Sequence, residues 1–104
     1  MERSQIEEIT ATIVERFSPR RVVLFGSHAR GDSTEASDLD LLVEMDTDLS
    51  PPDRNIAISA VFGLRTWSLD VVVYTPAEVE RLRHIPGTLV SVVEREGEVL
   101  HERP

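Results

Sequence analysis

Residues Asp38 to Met45 constrain this chain more than any other stretch. At the two-residue period of an extended strand, Leu39, Leu41, Val43 and Met45 fall on one face, while Asp38, Asp40, Leu42 and Glu44 fall on the other. The first face is apolar throughout and demands a covering layer. The second opens on two carboxylates that project side by side. A fold that satisfies this segment buries one side of a sheet and keeps the start of the other side polar.

The rest of the chain supplies the layers. Ile6, Ile9, Ile13 and Phe17 recur at helical spacing, Ser4-Gln-Ile-Glu7 reads as a capping box before them, and Ser18-Pro19 ends the helix. Arg21 to Phe25 contains the buried-strand run Val22-Val-Leu-Phe25 and stops at Gly26-Ser27. Residues 28–37 are small and polar, which predicts a short helical turn and a loop. Asp46 to Pro52 reads as a loop, and Ser50-Pro51 starts a helix whose predicted buried stripe is Ile56, Ala60, Val61 and Leu64. Leu69 to Tyr74 is a third strand, with Asp70, Val72 and Tyr74 on one face. Thr75-Pro-Ala-Glu78 forms a second capping box. A last helix runs from roughly Gly87 to Glu96, with Gly97 as its left-handed cap, and Glu98 to His101 forms a short terminal strand. The order predicts an α/β (α+β) domain spanning residues 1–104, a small mixed β-sheet flanked by helices.

Charge and composition exclude several chemistries. The chain has no cysteine, so disulfides and zinc ribbons are absent, and no His/carboxylate set has zinc-site spacing. Its eleven basic residues are all Arg, and without Lys there is no Walker A loop. Nineteen acidic residues leave a net charge of −8, which argues against direct nucleic-acid binding and suits metal ions or a basic protein partner. No apolar run approaches the roughly 20 residues that cross a bilayer, and the charged N-terminus is no secretory signal. These features predict a cytoplasmic protein without a membrane partner.

Three features converge on one chemistry. Gly26-Ser27 follows a strand and opens a turn, where glycine lets phosphates approach the backbone and Ser27 and nearby N–H groups donate to them. Asp38 and Asp40 offer paired hard-oxygen ligands of the kind magnesium takes when phosphates complete its shell. Asp70 stands in the otherwise apolar run Leu69-Asp-Val-Val-Val73, an expensive place for a carboxylate without a partner. Each alone has a bland reading: a turn, a surface pair, an edge residue facing water. Gly-Ser followed by Asp-x-Asp at this spacing arises by chance on the order of once in a thousand such chains.

Gly26-Ser27-His-Ala-Arg30-Gly31, Ser37-Asp38-Leu-Asp40-Leu-Leu-Val43 and Leu69-Asp70-Val-Val-Val73 together resemble the signature of the DNA polymerase β-like nucleotidyltransferase superfamily. Within it, the chain is most similar to the minimal nucleotidyltransferases (MNT proteins) of prokaryotes, over nearly its whole length. The resemblance implies the polymerase β-like fold and two magnesium ions. Asp38 and Asp40 would bind both, and Asp70 would share one and help activate the attacking hydroxyl. It also implies a nucleoside triphosphate substrate, ATP, whose β- and γ-phosphates are held by Gly26 and Ser27, with Ser37 and Arg30 as further nucleotide contacts. Arg30 is equally placed to pair with Asp32 or Glu35. His28 reads as a solvated loop residue, Trp67 and Tyr74 as packing residues, and Glu94, Glu96, Glu98 and Glu102 as a solvated acidic face.

MNT proteins occur with small helical HEPN toxins, and the resemblance implies transfer of AMP from ATP to a Tyr hydroxyl of such a partner, an antitoxin activity. No acceptor domain follows the third strand, so the acceptor is expected on a homo-oligomer mate or a separate protein. Two other roles fit the same residues: an antitoxin that neutralises its partner by binding alone, and a transferase acting on a small molecule such as an aminoglycoside.

Overall fold

The computed structural model describes residues 1–104. Its elements, in chain order, are α1 (Arg3–Phe17), β1 (Arg21–Phe25), α2 (Ser27–Arg30), β2 (Leu39–Glu44), α3 (Pro51–Phe62), β3 (Leu69–Tyr74), α4 (Pro76–Leu82), α5 (Leu89–Glu96) and β4 (Glu98–Glu102). The sheet is mixed, in the order β3-β2-β1-β4. β1 runs antiparallel to both β2 and β4, whereas β2 and β3 are parallel and joined by the α3 crossover. This is the predicted fold class, with the strand order now defined.

The alternation in β2 sets up three layers. Leu39, Leu41, Val43 and Met45 join Val22, Leu24, Val71 and Val73 in one core, covered by Ile6, Ile9 and Ile13 of α1 and Ile58 of α3. On the opposite face Val23 and Leu42 meet Val79 of α4 and Val90 and Val93 of α5. β2 is thus central, with Leu39, Leu41 and Val43 buried on one face and Leu42 flanked by Asp40 and the buried Glu44 on the other. Asp40 is only half-buried, and Asp38, just before the strand, is exposed.

Several local expectations are corrected. α1 begins at Arg3 with Glu2 as its N-cap and no capping side chain, so Ser4 lies inside the first turn and its capping box does not form. Ser18 does end the helix, in the left-handed conformation at φ 48°. In α3 the phase is rotated: Arg54 and Ile58 are buried, while Ile56 is 65% exposed, Ala60 is exposed and Leu64 lies fully in solvent beyond the helix. That helix is apolar on two sides, so sequence periodicity alone could not choose the inner one. α5 starts at Leu89, capped by the Thr88 side chain, rather than at Gly87.

Gly97 is not a left-handed cap; it is extended, at φ −79° and ψ 166°. A Cβ there would lie 2.7 Å from both Val23 Cγ1 and Val93 O. Glycine is needed because α5 and β4 pinch onto β1. The Thr75–Glu78 capping box forms as expected, with both reciprocal hydrogen bonds.

Glu94 and Glu98 are not simply solvated. Glu94 pairs with Arg21 and Arg83, and Glu98 pairs with Arg3. Arg21 also holds the buried Glu44 at 2.9 Å, which places a charge network at the end of the sheet remote from Asp40.

Candidate nucleotide and metal site

The site is assembled where β1 ends and β2 and β3 begin. Antiparallel pairing sets Phe25 opposite Asp40, so the chain turns into Gly26-Ser27 directly beside that carboxylate. Parallel pairing sets Asp40 opposite Asp70. Asp38 lies two residues before Asp40 on the same side of the chain. The three aspartates therefore share one edge of the sheet face that α4 and α5 cover further along. Asp38 and Asp70 are exposed and Asp40 is half-buried.

Gly26 is fixed by two constraints. Its backbone, at φ 72° and ψ −154°, lies in a region essentially restricted to glycine. A Cβ would also come within 2.9 Å of Asp40 Cγ and overlap its Oδ2. The Asp40 carboxylate thus rests against the bare Cα of Gly26. Behind it α2 makes a single turn, in which Ala29 and Arg30 donate to Gly26 O at 3.1 Å. The first N–H groups of such a turn have no intrahelical acceptor.

Electrostatically the cluster is unbalanced. Burial raises the Asp40 pKa above the usual carboxylate range, and the neighbouring charges of Asp70 and then Asp38 push the same way, as does a proton shared with Asp70. His28 opposes them weakly. None of the three aspartates belongs to any of the ion pairs of the fold. Their side chains do not close into a coordination shell, since no three His, Asp or Glu groups gather around one point. The donor set nevertheless fits a hard divalent cation: three carboxylates on adjacent strand starts, with repulsion that His28 offsets only weakly.

The other expected contacts are placed less directly. Arg30 pairs with Asp32 at 3.3 Å, the alternative left open by the sequence. Ser37 Oγ accepts from the Thr34 N–H at 2.8 Å and so stabilises the loop before Asp38. His28 is not a solvated loop residue: its Nε2 is enclosed and lacks a hydrogen-bond partner. The helical turn expected here does form, at Ser27–Arg30, but it does not leave the ring in solvent. Trp67 does pack, edge-on against Phe62 at 5.7 Å and under the Arg65 guanidinium.

The fold is thus a three-layer domain whose mixed sheet presents Gly-Ser beside paired aspartates at its strand ends. The nucleotidyltransferase domain model matches residues 6–102, and the chain belongs to that family. Two proteins of Methanocaldococcus jannaschii, each provisionally named a protein adenylyltransferase, are 38% identical over 52 residues and 41% identical over 49. The matches cover 46% and 45% of this chain, and 52% and 49% of the relatives, so the chain spans about half the length of each.

Among solved structures, a provisionally named nucleotidyltransferase from Sulfolobus solfataricus superposes with a TM-score of 0.65 at 23% identity, over 96% of this chain and 79% of that one. A toxin–antitoxin structure with AMP-PNP gives 0.61 at 20% identity, over 93% and 73%. At these identities the two structures establish the shared fold. No helix here is long and apolar enough to cross a membrane.

Proposed function

We propose that this domain transfers AMP from ATP to a hydroxyl, a Tyr of a HEPN toxin partner, and acts as that toxin's antitoxin. The observation that carries the reading is the register of Asp40 against Asp70 with Gly26 pressed onto Asp40, because it sets a phosphate-compatible backbone beside two facing carboxylates. The family, the names of the two relatives and the toxin–antitoxin neighbour support it.

Asp38, Asp40 and Asp70 would hold two magnesium ions, which when bound neutralise phosphate charge and make an attacking hydroxyl more acidic. The residues of the chain do the rest. Gly26 admits the β- and γ-phosphates to the backbone, and Ser27 Oγ and the free N–H groups of α2 donate to them. Asp70 is exposed on the edge strand β3, where an acceptor can reach it, and its carboxylate would help activate the attacking hydroxyl. Arg30 and Ser37 would be further nucleotide contacts; Arg30 must exchange Asp32 for a phosphate oxygen to contribute.

The test incubates the domain and a HEPN partner with magnesium and labelled ATP. Label should appear on the partner with the wild type and be absent with Asp38→Ala. Equal labelling, or none in either reaction, rejects transfer. The net charge of −8 favours a second reading, in which an acidic antitoxin covers a basic cleft by binding alone. Full neutralisation by Asp38→Ala combined with Asp40→Ala would establish that reading instead.

A further inference from the structure

One stretch of this acidic chain is free of negative charge. Of its nineteen acidic residues none falls between Arg54 and Leu69, where the only charges are Arg54 and Arg65. Most of that stretch is α3, whose inner side is settled. Ile58 lies in the core, and the buried Arg54 donates to Leu49 O at 2.9 Å, Val73 O at 3.4 Å and Glu78 at 2.7 Å, a charged side chain that blunts the β3 edge. At about 100° per residue, Pro52, Ile56, Ser59, Ala60 and Gly63 share the opposite side of the helix. Ile56 and Leu64, the latter just past the helix, are the most exposed large apolar side chains of the molecule.

The other helices of two turns or so have no such face. α1 exposes Glu7, Glu8, Glu15 and Arg16, α4 exposes Glu80 and Arg81, and α5 exposes Arg95 and Glu96. On α3 the exposed charge is Asp53 alone, in the first turn. Ile56 stands beside a shallow hollow of about 370 Å³ that it lines with Asn55, Ser59, Ala60 and Gly63, so projection and recess lie on one face. Asp53 and Arg65 mark opposite ends of the helix, and neither belongs to an ion pair. Asp53 accepts from Ser50 Oγ. Arg65 lies over the Trp67 ring and donates to Gly63 O at 3.1 Å, which holds its guanidinium at the C-terminal end of α3.

We infer that α3 is the contact face of a homodimer, in which two copies of the helix pack antiparallel about a two-fold axis. The face is self-complementary, as such symmetry requires. With the axis level with Ile58, Ile56 of each copy meets Ala60 of the other and Pro52 meets Leu64, while the small side chains of Ser59, Ala60 and Gly63 let the helices approach. The same arrangement carries Asp53 to the end of the other helix, where Arg65 lies. Charge selects a second copy. At a net charge of −8 two copies repel one another, and α3 is the helix that can be brought to itself with its one exposed carboxylate directed towards an Arg. One helix per copy buries less than the roughly 800 Å² per partner of a standard interface, so dissociation is expected on the order of 100 µM.

The test is sedimentation equilibrium of the full chain from roughly 1 µM to 1 mM, across which monomer should give way to dimer. Ile56→Glu should weaken association at least about tenfold, while dilute samples melt at the wild-type temperature because the side chain is exposed. Val99→Glu adds the same charge at an exposed site on β4 and should leave association within about twofold of wild type. Arg65→Glu sets an acidic group against Asp53 and should weaken the dimer several-fold; adding Asp53→Arg should restore it. Monomer at every concentration leaves the face to a different protein and overturns the proposal. So does a dimer that tolerates Ile56→Glu, one weakened equally by Val99→Glu, or failure of the exchanged charges to restore association.

Discussion

Gly26→Ala probes the site at the atom where fold and chemistry meet. The substitution has two separable effects. Alanine at φ 72° and ψ −154° occupies a region that non-glycine residues enter at about 1–3 kcal/mol. The new methyl also overlaps Asp40 Oδ2, which forces the carboxylate off Gly26 and out of its register with Asp70. That movement relieves repulsion among the aspartates, so the stability loss stays near the backbone figure. In a domain of this size it corresponds to a fall in melting temperature of roughly 5–20 °C. The chemical consequence is larger: an ångström of misplacement at a reacting centre removes on the order of a hundredfold in rate.

Gly31→Ala is the matched control. Its φ is also positive, at 84°, but no atom lies within 4 Å of the added methyl. It should cost about 1–2 kcal/mol from left-handed strain alone and leave transfer within a few-fold of wild type. Thermal melts and single-turnover transfer from labelled ATP are measured on both variants. If they lose transfer equally, or if Gly26→Ala retains it, the contact with Asp40 is not what positions the site.

Asp40→Asn should stabilise the protein at neutral pH while abolishing transfer. The folded pKa of Asp40 is raised, so its contribution favours folding below the unfolded value near 4 and turns unfavourable as pH rises through the folded value. The advantage of the variant in melting temperature should therefore be present at pH 7 and vanish by about pH 4; a pH-independent difference contradicts the assignment. Glu78 has the opposite sign. Burial opposes its charge, but the Thr75 N–H and Arg54 outweigh it and lower the pKa, so its support is present above the unfolded value and lost as pH falls through the folded one. Glu78→Gln should flatten the acid limb of the stability profile. Arg54→Ala strands Glu78 and opens the β3 edge, with an expected loss of about 3 kcal/mol in urea unfolding and increased aggregation. Ile58→Ala should cost about 2–5 kcal/mol and Ile56→Ala under about 0.5; reversal of that order would restore the helix phase read from the sequence.

What was legible in the sequence divides according to how local its cause is. The strands of the core were readable because a period of two, once anchored by Leu39, Leu41 and Val43, leaves no freedom of phase. Asp38 and Asp40 followed from the same period, and Gly26-Ser27 from its position at a strand end. The Thr75 capping box was readable for a similar reason, since every partner it uses lies within four residues. α3 failed because Ile56, Ala60 and Leu64 form as good a stripe as Ile58 and its neighbours; the choice was made by Arg54, whose guanidinium is drawn inward by Leu49 O, Val73 O and Glu78. Gly97 failed because the atoms that require glycine belong to Val23 and Val93, one of them on a strand far back in the chain.

The same distinction applies inside the site. The sequence marked Asp70 as anomalous but could not place it, because nothing local states that β3 lies parallel to β2 with residue 70 opposite residue 40. That pairing turns three isolated carboxylates into one charge problem, visible as the raised Asp40 pKa, which His28 opposes only weakly. A fold that keeps such a cluster at an open strand end retains an electrostatic cost that folding alone does not require. The cost is intelligible if the balancing charges arrive with a metal-bound nucleotide, and Asp40→Asn measures it directly.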